Sequence, residues 1–410
     1  MSAPYSDATP QGYWLRLTRP NLSAHSCTAT HFLMSETAFS FTSAGYKFFR
    51  DRLEWADVTP IKQDESPRGV VRIAYSDAFV DAHDYVRAVM AADERSPRVL
   101  ELTSEALQMN AANYSIWAYR RNVLTTLKAS LSAEHHFTKT LLYDHPKNYQ
   151  LWYHLQWLME QAAKTDGEND PKTVFSRPDS YLFSILSAEL DLVHELLVED
   201  AKNYHAWQYR RWLVDFFGIP TDHEVNFCDL MLADDALNNS AWNHRFYTIV
   251  NKKFNDVVFD REVKFVVGHL SSMPHNESAC NYLLGLLFPL PPGACQNAIN
   301  GASEQSEKST LDRLLKVRHL IEDLVAQDVA GAADTPAILS LLVELLCTTL
   351  QKRQQSVESV TVEDEETRTA RRAMEICERL ALELDRVRAN YWQYRRSQIE
   401  QLLTQSPMVA

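Results

Sequence analysis

The sequence predicts an all-α fold, a solenoid of helical hairpins, chiefly because one phrase recurs along it. Asn, a Tyr or Asn, two variable residues and Trp are written four times, with successive tryptophans 35, 55 and 35 residues apart. The four tryptophans are Trp117, Trp152, Trp207 and Trp242. A period near 35 is typical of arrays in which each helix pair buries its apolar face against its neighbours. Only 10 Gly occur in 410 residues, which also favours helices.

Composition narrows the functional class. The net charge of −13 argues against a general nucleic-acid binder, and no apolar run is long enough for a membrane span. The six cysteines are scattered, form no CxxC pair and do not cluster with histidines. This pattern predicts reduced thiols in a cytoplasmic protein, with no disulfide framework and no metal site in this chain.

The chain divides into three parts. A helical-hairpin repeat crescent is expected between a loose N-terminal extension and a short C-terminal tail. The 55-residue step equals one period plus an insertion that is polar and should form a loop. The predicted ranges are 1–45 for the extension, 46–395 for the crescent and 396–410 for the tail, with loops near 164–180, 289–310 and 356–367.

The recurring residue types have a structural explanation. Asn113, Asn148 and Asn203 stand where helix N-caps are expected, since an Asn side chain accepts hydrogen bonds from the free N–H groups of the first turn. Tyr would then be the first helical residue, with Trp three positions later and Arg three after Trp. These spacings predict that all three share one helix face. Trp should fill the space between helix layers, and Arg should pair with a carboxylate or carbonyl of the next repeat.

Two lysines precede the caps and allow two interpretations. Lys147 and Lys202 each lie one position before a predicted helix start, where a cation is unfavourable by roughly 0.3–1 kcal/mol. The arrangement becomes favourable if an anion binds there, because free N–H groups and the ammonium then point at one spot. Lys147, Tyr149, Tyr204 and His205 would converge on a phosphate-like group if helix starts line up along one edge. The alternative is that both lysines are simply exposed side chains.

The repeats and the segments before them resemble a known family, the alpha subunit shared by protein farnesyltransferase and type-1 protein geranylgeranyltransferase. The similarity runs from about Tyr46 to Phe288 and, more thinly, over Asp385–Arg395. The segments that carry it, besides the repeats, are Arg52-Leu-Glu-Trp55-Ala-Asp57, Ile73-Ala-Tyr-Ser-Asp77, Asp93-Glu-Arg-Ser96 and Leu107-Gln-Met-Asn-Ala-Ala-Asn-Tyr114. The chain departs from the pattern at Leu155 in place of Arg, at Asn239 in place of Tyr, and at Cys280 in place of Trp.

The resemblance implies a right-handed superhelix wrapped around a beta subunit. It also implies a division of labour, in which the beta subunit holds the catalytic zinc, the isoprenoid pocket and most of the peptide site. Magnesium is a further cofactor expected for the complex. The substrates implied are a prenyl diphosphate and proteins that end in a CaaX motif.

The resemblance further assigns roles to residues of this chain. Lys147 would be the catalytic residue that neutralises the diphosphate, with Tyr149, Tyr204 and His205 beside it. Gln150 would bind the C-terminal carboxylate of the CaaX substrate. The competing hypothesis is a non-catalytic helical-repeat scaffold that binds a peptide or a protein partner.

Overall fold

The computed structural model describes residues 46–64, 73–167, 170–251, 254–287, 304–355 and 363–404, and α-helices make up most of these. Within these ranges no β-strand occurs, and the predicted all-α repeat fold is confirmed. The α-helices are α1 Asp77–Ala91, α2 Pro97–Met109, α3 Tyr114–Leu127, α4 Leu131–Asp144, α5 Tyr149–Thr165, α6 Tyr181–Glu199, α7 Tyr204–Phe217, α8 Thr221–Asp234, α9 Asn239–Val250, α10 Asp256–Ser272, α11 Glu277–Leu287, α12 Glu304–Ala326, α13 Pro336–Gln355, α14 Glu363–Arg379 and α15 Ala389–Thr404.

The helices pair into five hairpin units. Helices α3, α5, α7, α9 and α11, here called the motif helices, each begin at a copy of the repeated phrase. Each packs against the companion helix just before it, and successive motif helices pack against each other. Units 1 to 5 are therefore α2–α3, α4–α5, α6–α7, α8–α9 and α10–α11. One continuous apolar core runs through all of them and on into the C-terminal helices.

The caps form as predicted, and they also tie neighbouring units together. The Asn203 side chain accepts hydrogen bonds from the N–H groups of His205 and Ala206. Its amide nitrogen donates to the Pro146 carbonyl of the preceding unit at 3.0 Å. The Trp152 indole donates to the same carbonyl at 2.8 Å.

The same pair of bonds recurs one unit later, at the Ala201 carbonyl. The Trp207 indole donates to it at 2.9 Å, and the Asn238 amide donates at 3.1 Å. Because the starts of α7, α9 and α11 are each bonded to the start of the motif helix before them, the motif helices from α5 to α11 begin side by side along one surface. We call residues 146–150 and 201–205 on this surface the helix-start edge.

A buried arginine–glutamate ion pair, as predicted for the arginines, lies inside the junctions that follow units 1, 3 and 4. The Arg120 guanidinium of unit 1 donates to both oxygens of Glu134 in unit 2, at 2.8 and 2.7 Å. His154 Nε2 of unit 2 lies 2.8 Å from the same carboxylate. Burial alone would raise the pKa of Glu134, but the bonds to His154 and Arg120 outweigh it and hold the pKa at about 2. The equivalent groups further along are Arg210, Glu224 and His244, then Arg245, Glu262 and Tyr282.

The prediction that Tyr, Trp and Arg share one helix face is wrong for the tyrosine. Trp117 and Arg120 are buried, whereas Tyr114 is an exposed side chain. Six residues of helix rotate the chain by about 240° modulo a full turn, so the first residue lies roughly 120° from the arginine. Tyr149 and Tyr204, the first residues of α5 and α7, are exposed in the same way and lie on the helix-start edge.

Four predicted irregular segments, namely three loops and the C-terminal tail, contain more helix than expected. In the 164–180 loop, α5 continues to Thr165 and a short 3-10 helix spans Pro171–Ser176. Two contacts hold this short helix in place. Val174 is buried, and Gly218, which ends α7 at φ 62°, lies close to Lys172. A Cβ at Gly218 would lie 3.1 Å from the Lys172 Cβ atom.

The other differences lie towards the C-terminus. Helix α12 already begins at Glu304 and α14 at Glu363, inside the predicted loops. The predicted tail from residue 396 is helical as far as Thr404, because Ile399 continues the buried side of α15 that Trp392 begins. The N-terminal extension, residues 1–45, lies outside the described residues.

Candidate functional site

Lys147 lies at the helix-start edge and reaches across a junction between units. Its side chain is 73% exposed, and its ammonium lies 3.1 Å from a carboxylate oxygen of Asp200, three residues before the Asn203 cap of unit 3. This hydrogen bond lowers the pKa of Asp200. Lys202 repeats the arrangement more loosely, 4.0 Å from Asp235.

The first turn of α5 presents two further predicted residues. The Tyr149 side chain is 62% exposed, and that of Gln150 is half-buried. The Gln150 backbone N–H donates to the Asn148 cap at 3.0 Å, which fixes the direction of the turn. Among the described residues, the Gln150 side-chain amide has no hydrogen-bond partner.

Tyr204 and His205 occupy the matching turn of α7. Tyr204 is 70% exposed. Its ring stands nearly perpendicular to the His205 imidazole, with centroids 5.8 Å apart. Neither the Tyr204 hydroxyl nor the imidazole has a hydrogen-bond partner in the part of the chain that the structure describes.

The arrangement brings Lys147 and the start of α7 together. The Asn203 bond to the Pro146 carbonyl links the residue before Lys147 to the residue before Tyr204. An ammonium, phenol hydroxyls, an imidazole and a primary amide thus lie on one edge, and all can donate hydrogen bonds. Such a set suits an anionic ligand such as a phosphate or carboxylate. It contains no nucleophile paired with a base, so its chemistry is binding and charge stabilisation.

Sequence analysis missed Asp200. Its carboxylate offsets the charge of Lys147. The expected cost of a cation before a helix start is therefore reduced. A signal for it exists, because Asp200 and Asp235 each stand three residues before a cap asparagine. In both places the aspartate pairs with the lysine of the preceding phrase.

The metal-binding residue types, the apolar helices and the cysteines bear on function more broadly. Among the described residues, no group of three or more His, Cys, Asp or Glu side chains could hold a metal ion. None of the described helices has both the length and the apolar character needed to cross a membrane. The cysteines in these ranges are buried free thiols, namely Cys228, Cys280, Cys347 and Cys377.

Comparison with known proteins identifies the repeats. The family of the protein prenyltransferase alpha subunit repeat matches residues 96–127, 131–162, 186–217 and 221–251. Each matched segment corresponds to one of units 1 to 4, although in unit 2 it ends inside α5 and in unit 3 it begins inside α6.

Relatives extend the similarity over most of the chain. The protein farnesyltransferase/geranylgeranyltransferase type-1 subunit alpha of Arabidopsis thaliana is 34% identical over 354 residues, covering 85% of this chain and 95% of the relative. The subunit of the same name from Pisum sativum is 32% identical over 358 residues, covering 86% and 95%. Among solved structures, a Candida albicans protein geranylgeranyltransferase-I complexed with GGPP shares the fold, with a TM-score of 0.64 and 24% identity. That match covers 87% of this chain and 99% of the other.

The repeats, the similarity along nearly the whole length of these relatives and the shared fold agree with one another. The resemblance expected from the sequence is confirmed. This chain belongs to the family of alpha subunits of protein farnesyltransferase/geranylgeranyltransferase type-1.

Proposed function

We propose that this chain is the alpha subunit of a heterodimeric protein prenyltransferase that works in the cytoplasm. With a beta subunit, it transfers a farnesyl or geranylgeranyl group from prenyl diphosphate to the cysteine of a C-terminal CaaX motif. The observation that carries the proposal is the similarity to the Arabidopsis thaliana alpha subunit, which spans 95% of that protein. The donor groups at the helix-start edge support it.

Lys147 has the properties of a residue that stabilises a leaving diphosphate. When the bond between C1 of the prenyl chain and the diphosphate oxygen breaks, negative charge grows on the leaving group. A fixed ammonium then stabilises the transition state more than the ground state. The pair with Asp200 does not prevent this, since an exposed ion pair is worth little and Lys147 is mostly exposed. The lysine can exchange Asp200 for a phosphate oxygen.

The neighbouring donors have supporting roles. Tyr149, Tyr204 and His205 would hydrogen-bond the diphosphate from the same edge and fix its orientation. Gln150, whose amide has no partner among the described residues, would bind the terminal carboxylate of the CaaX peptide. Activation of the attacking thiol would belong to the beta subunit, where zinc is expected, with magnesium as a further expected cofactor of the complex.

Co-expression with each candidate beta subunit tests the proposal. We expect a stable heterodimer that prenylates a CaaX peptide, and no activity from this chain alone. Offering farnesyl and geranylgeranyl diphosphate separately to each heterodimer would establish which lipid is used. Association with no candidate beta subunit, or prenylation by this chain alone, would contradict the proposal. Binding of peptides without any transfer would favour the scaffold alternative.

Gln150 provides a test of the substrate assignment. Gln150→Ala removes a hydrogen bond to a charged group, worth roughly 1.5–3 kcal/mol, so peptide affinity should fall by about 10- to 150-fold. Prenyl diphosphate affinity should not change. Amidating the peptide C-terminus should mimic the variant, and the two changes together should cost less than their sum because they delete the same contact. Fully additive losses would show that Gln150 and the carboxylate are not partners.

A further inference from the structure

Arg121 is an unusual cation within this chain. It follows Arg120 on α3, but the two side chains differ completely in their surroundings. Arg120 is buried and bonded to Glu134, whereas Arg121 is half-buried and has no carboxylate partner in the described part of the chain. Its Nη1 atom is buried without a hydrogen bond. Its contact is with the face of Tyr153, 5.0 Å from the ring centroid.

Other arginines with a comparably buried guanidinium nitrogen are compensated. Arg177, Arg318 and Arg395 each lie 2.6 to 3.2 Å from a carboxylate oxygen of this chain. Arg211, which stands at the position of Arg121 two units later, is exposed and stacks 3.5 Å above Tyr247. The Tyr247 hydroxyl in turn donates to Asp215 at 2.6 Å.

An unpaired charge in a partly buried place is unfavourable. Burial lowers the pKa of the Arg121 guanidinium, in keeping with a cation that lacks a compensating anion. The cation–π contact with Tyr153 offsets only part of this cost. A carboxylate from outside the chain would complete the site, since arginine binds carboxylates with two parallel hydrogen bonds.

The position of Arg121 indicates which molecule supplies that carboxylate. Arg121 lies seven residues after Tyr114, so it is about 10 Å along α3 from the first residue of that helix. The surface around it is the exposed side of the motif helices, where Ala118 and Tyr153 are exposed and Trp157 is half-buried. Aromatic side chains and an arginine on one face are typical of a protein interface.

We propose that Arg121 is an anchor for an acidic side chain of the beta subunit, and that Tyr153 packs beside this pair at the interface. The inference rests on the proposed function, because it takes the partner from there. The contact from unit 1 would then fix the alignment of the two subunits.

The test compares Arg121→Gln with Arg211→Gln in the co-expressed heterodimer, using subunit exchange to measure dissociation. Losing one member of a partly buried charge pair should raise the Kd by about 10- to 100-fold for Arg121→Gln. Arg211→Gln should stay within about twofold, because exposed charges contribute little. Raising the salt concentration should weaken subunit binding more in the wild type than in Arg121→Gln, so the difference between their Kd values should become smaller.

The unfolding midpoint of the isolated chain separates an interface role from a structural one. Arg121→Met should leave this midpoint unchanged or raise it, because it removes an unpaired charge. Equal destabilisation of the isolated chain and the heterodimer would overturn the inference. So would unchanged subunit exchange in Arg121→Gln, or a raised KM for the CaaX peptide alone, which would assign the carboxylate to the substrate. If the wild-type chain binds no beta subunit, the proposed function fails as well.

Discussion

Units 2 and 3 are nearly identical at their edge and different inside. Both begin the motif helix with an asparagine cap, and both place a lysine, Lys147 or Lys202, towards an aspartate of the next unit. Inside the junction that follows, Arg210 of unit 3 binds the buried Glu224. At the position equivalent to Arg210, unit 2 has Leu155, which is apolar and fully buried.

The buried carboxylate in the junction after unit 2 is Glu189, and its partner is not an arginine. Glu189 of α6 has 0% exposure, and His135 of α4 lies 2.6 Å from it. The Tyr209 hydroxyl donates to its other oxygen at 2.7 Å. The comparison shows that caps and tryptophans fix the backbone of the repeat, while the buried carboxylate can be paired from a different helix. At this junction a histidine, whose pKa is raised chiefly by its bond to Glu189, takes the place of a permanently charged arginine.

The largest difference between the two units should appear when their inner residues are exchanged for methionine. Arg210→Met strands Glu224 in the core with only histidine partners, which should cost about 3–5 kcal/mol of unfolding free energy. The matched control, Leu155→Met, conserves volume and should cost less than about 1.5 kcal/mol. Urea unfolding of the heterodimer measures both. Equal losses would contradict the importance of the buried pair, whereas partial recovery in Arg210→Met with Glu224→Gln would support it.

A smaller loss is expected at the histidine junction. His135→Leu removes a hydrogen bond to the charged Glu189, but His135 is partly exposed and the Tyr209 bond remains. We expect a loss of about 1–2 kcal/mol at pH 6. His136→Leu, one position along and without this bond, is the control. A loss of unfolding free energy as large as that of Arg210→Met would mean that the two junctions are equally stabilised by the bonds to their buried carboxylates.

The smallest effect is the pH dependence of that loss. The bond to Glu189 raises the pKa of His135, outweighing burial, so the protonated form is favoured in the folded state. Its contribution should be complete below the ordinary histidine pKa of about 6.5 and should disappear as pH rises through the raised value. The difference between wild type and His135→Leu should therefore shrink from pH 6 to pH 9. The Arg210→Met difference should not decline over this range, because the guanidinium that it removes stays charged, and a parallel decline in both would contradict the assignment.

The sequence was sufficient for features that depend on local spacing. The asparagine caps, the buried tryptophans, the arginine pairs and the position of Lys147 all follow from a repeated phrase with a fixed period. The partner of Glu189 could not be predicted, because His135 is 54 residues away and belongs to no repeated position. Likewise, the pairing of Lys147 with Asp200 depends on how units stack. The end of α15 was missed because one buried residue, Ile399, gives little periodic signal.

The repeat supplies its own control for the proposed role of Lys147. Lys147 and Lys202 have the same chemistry, similar exposure and equivalent aspartate partners, but only Lys147 is proposed to meet the diphosphate. The most direct measurement is the single-turnover rate of prenyl transfer in heterodimers carrying Lys147→Ala or Lys202→Ala. Lys147→Ala should lower the rate by about 10²–10³ with little loss of prenyl diphosphate affinity, while Lys202→Ala should leave the rate nearly unchanged. An unchanged rate in a well-folded Lys147→Ala heterodimer, or equal losses in both variants, would contradict a diphosphate role for Lys147.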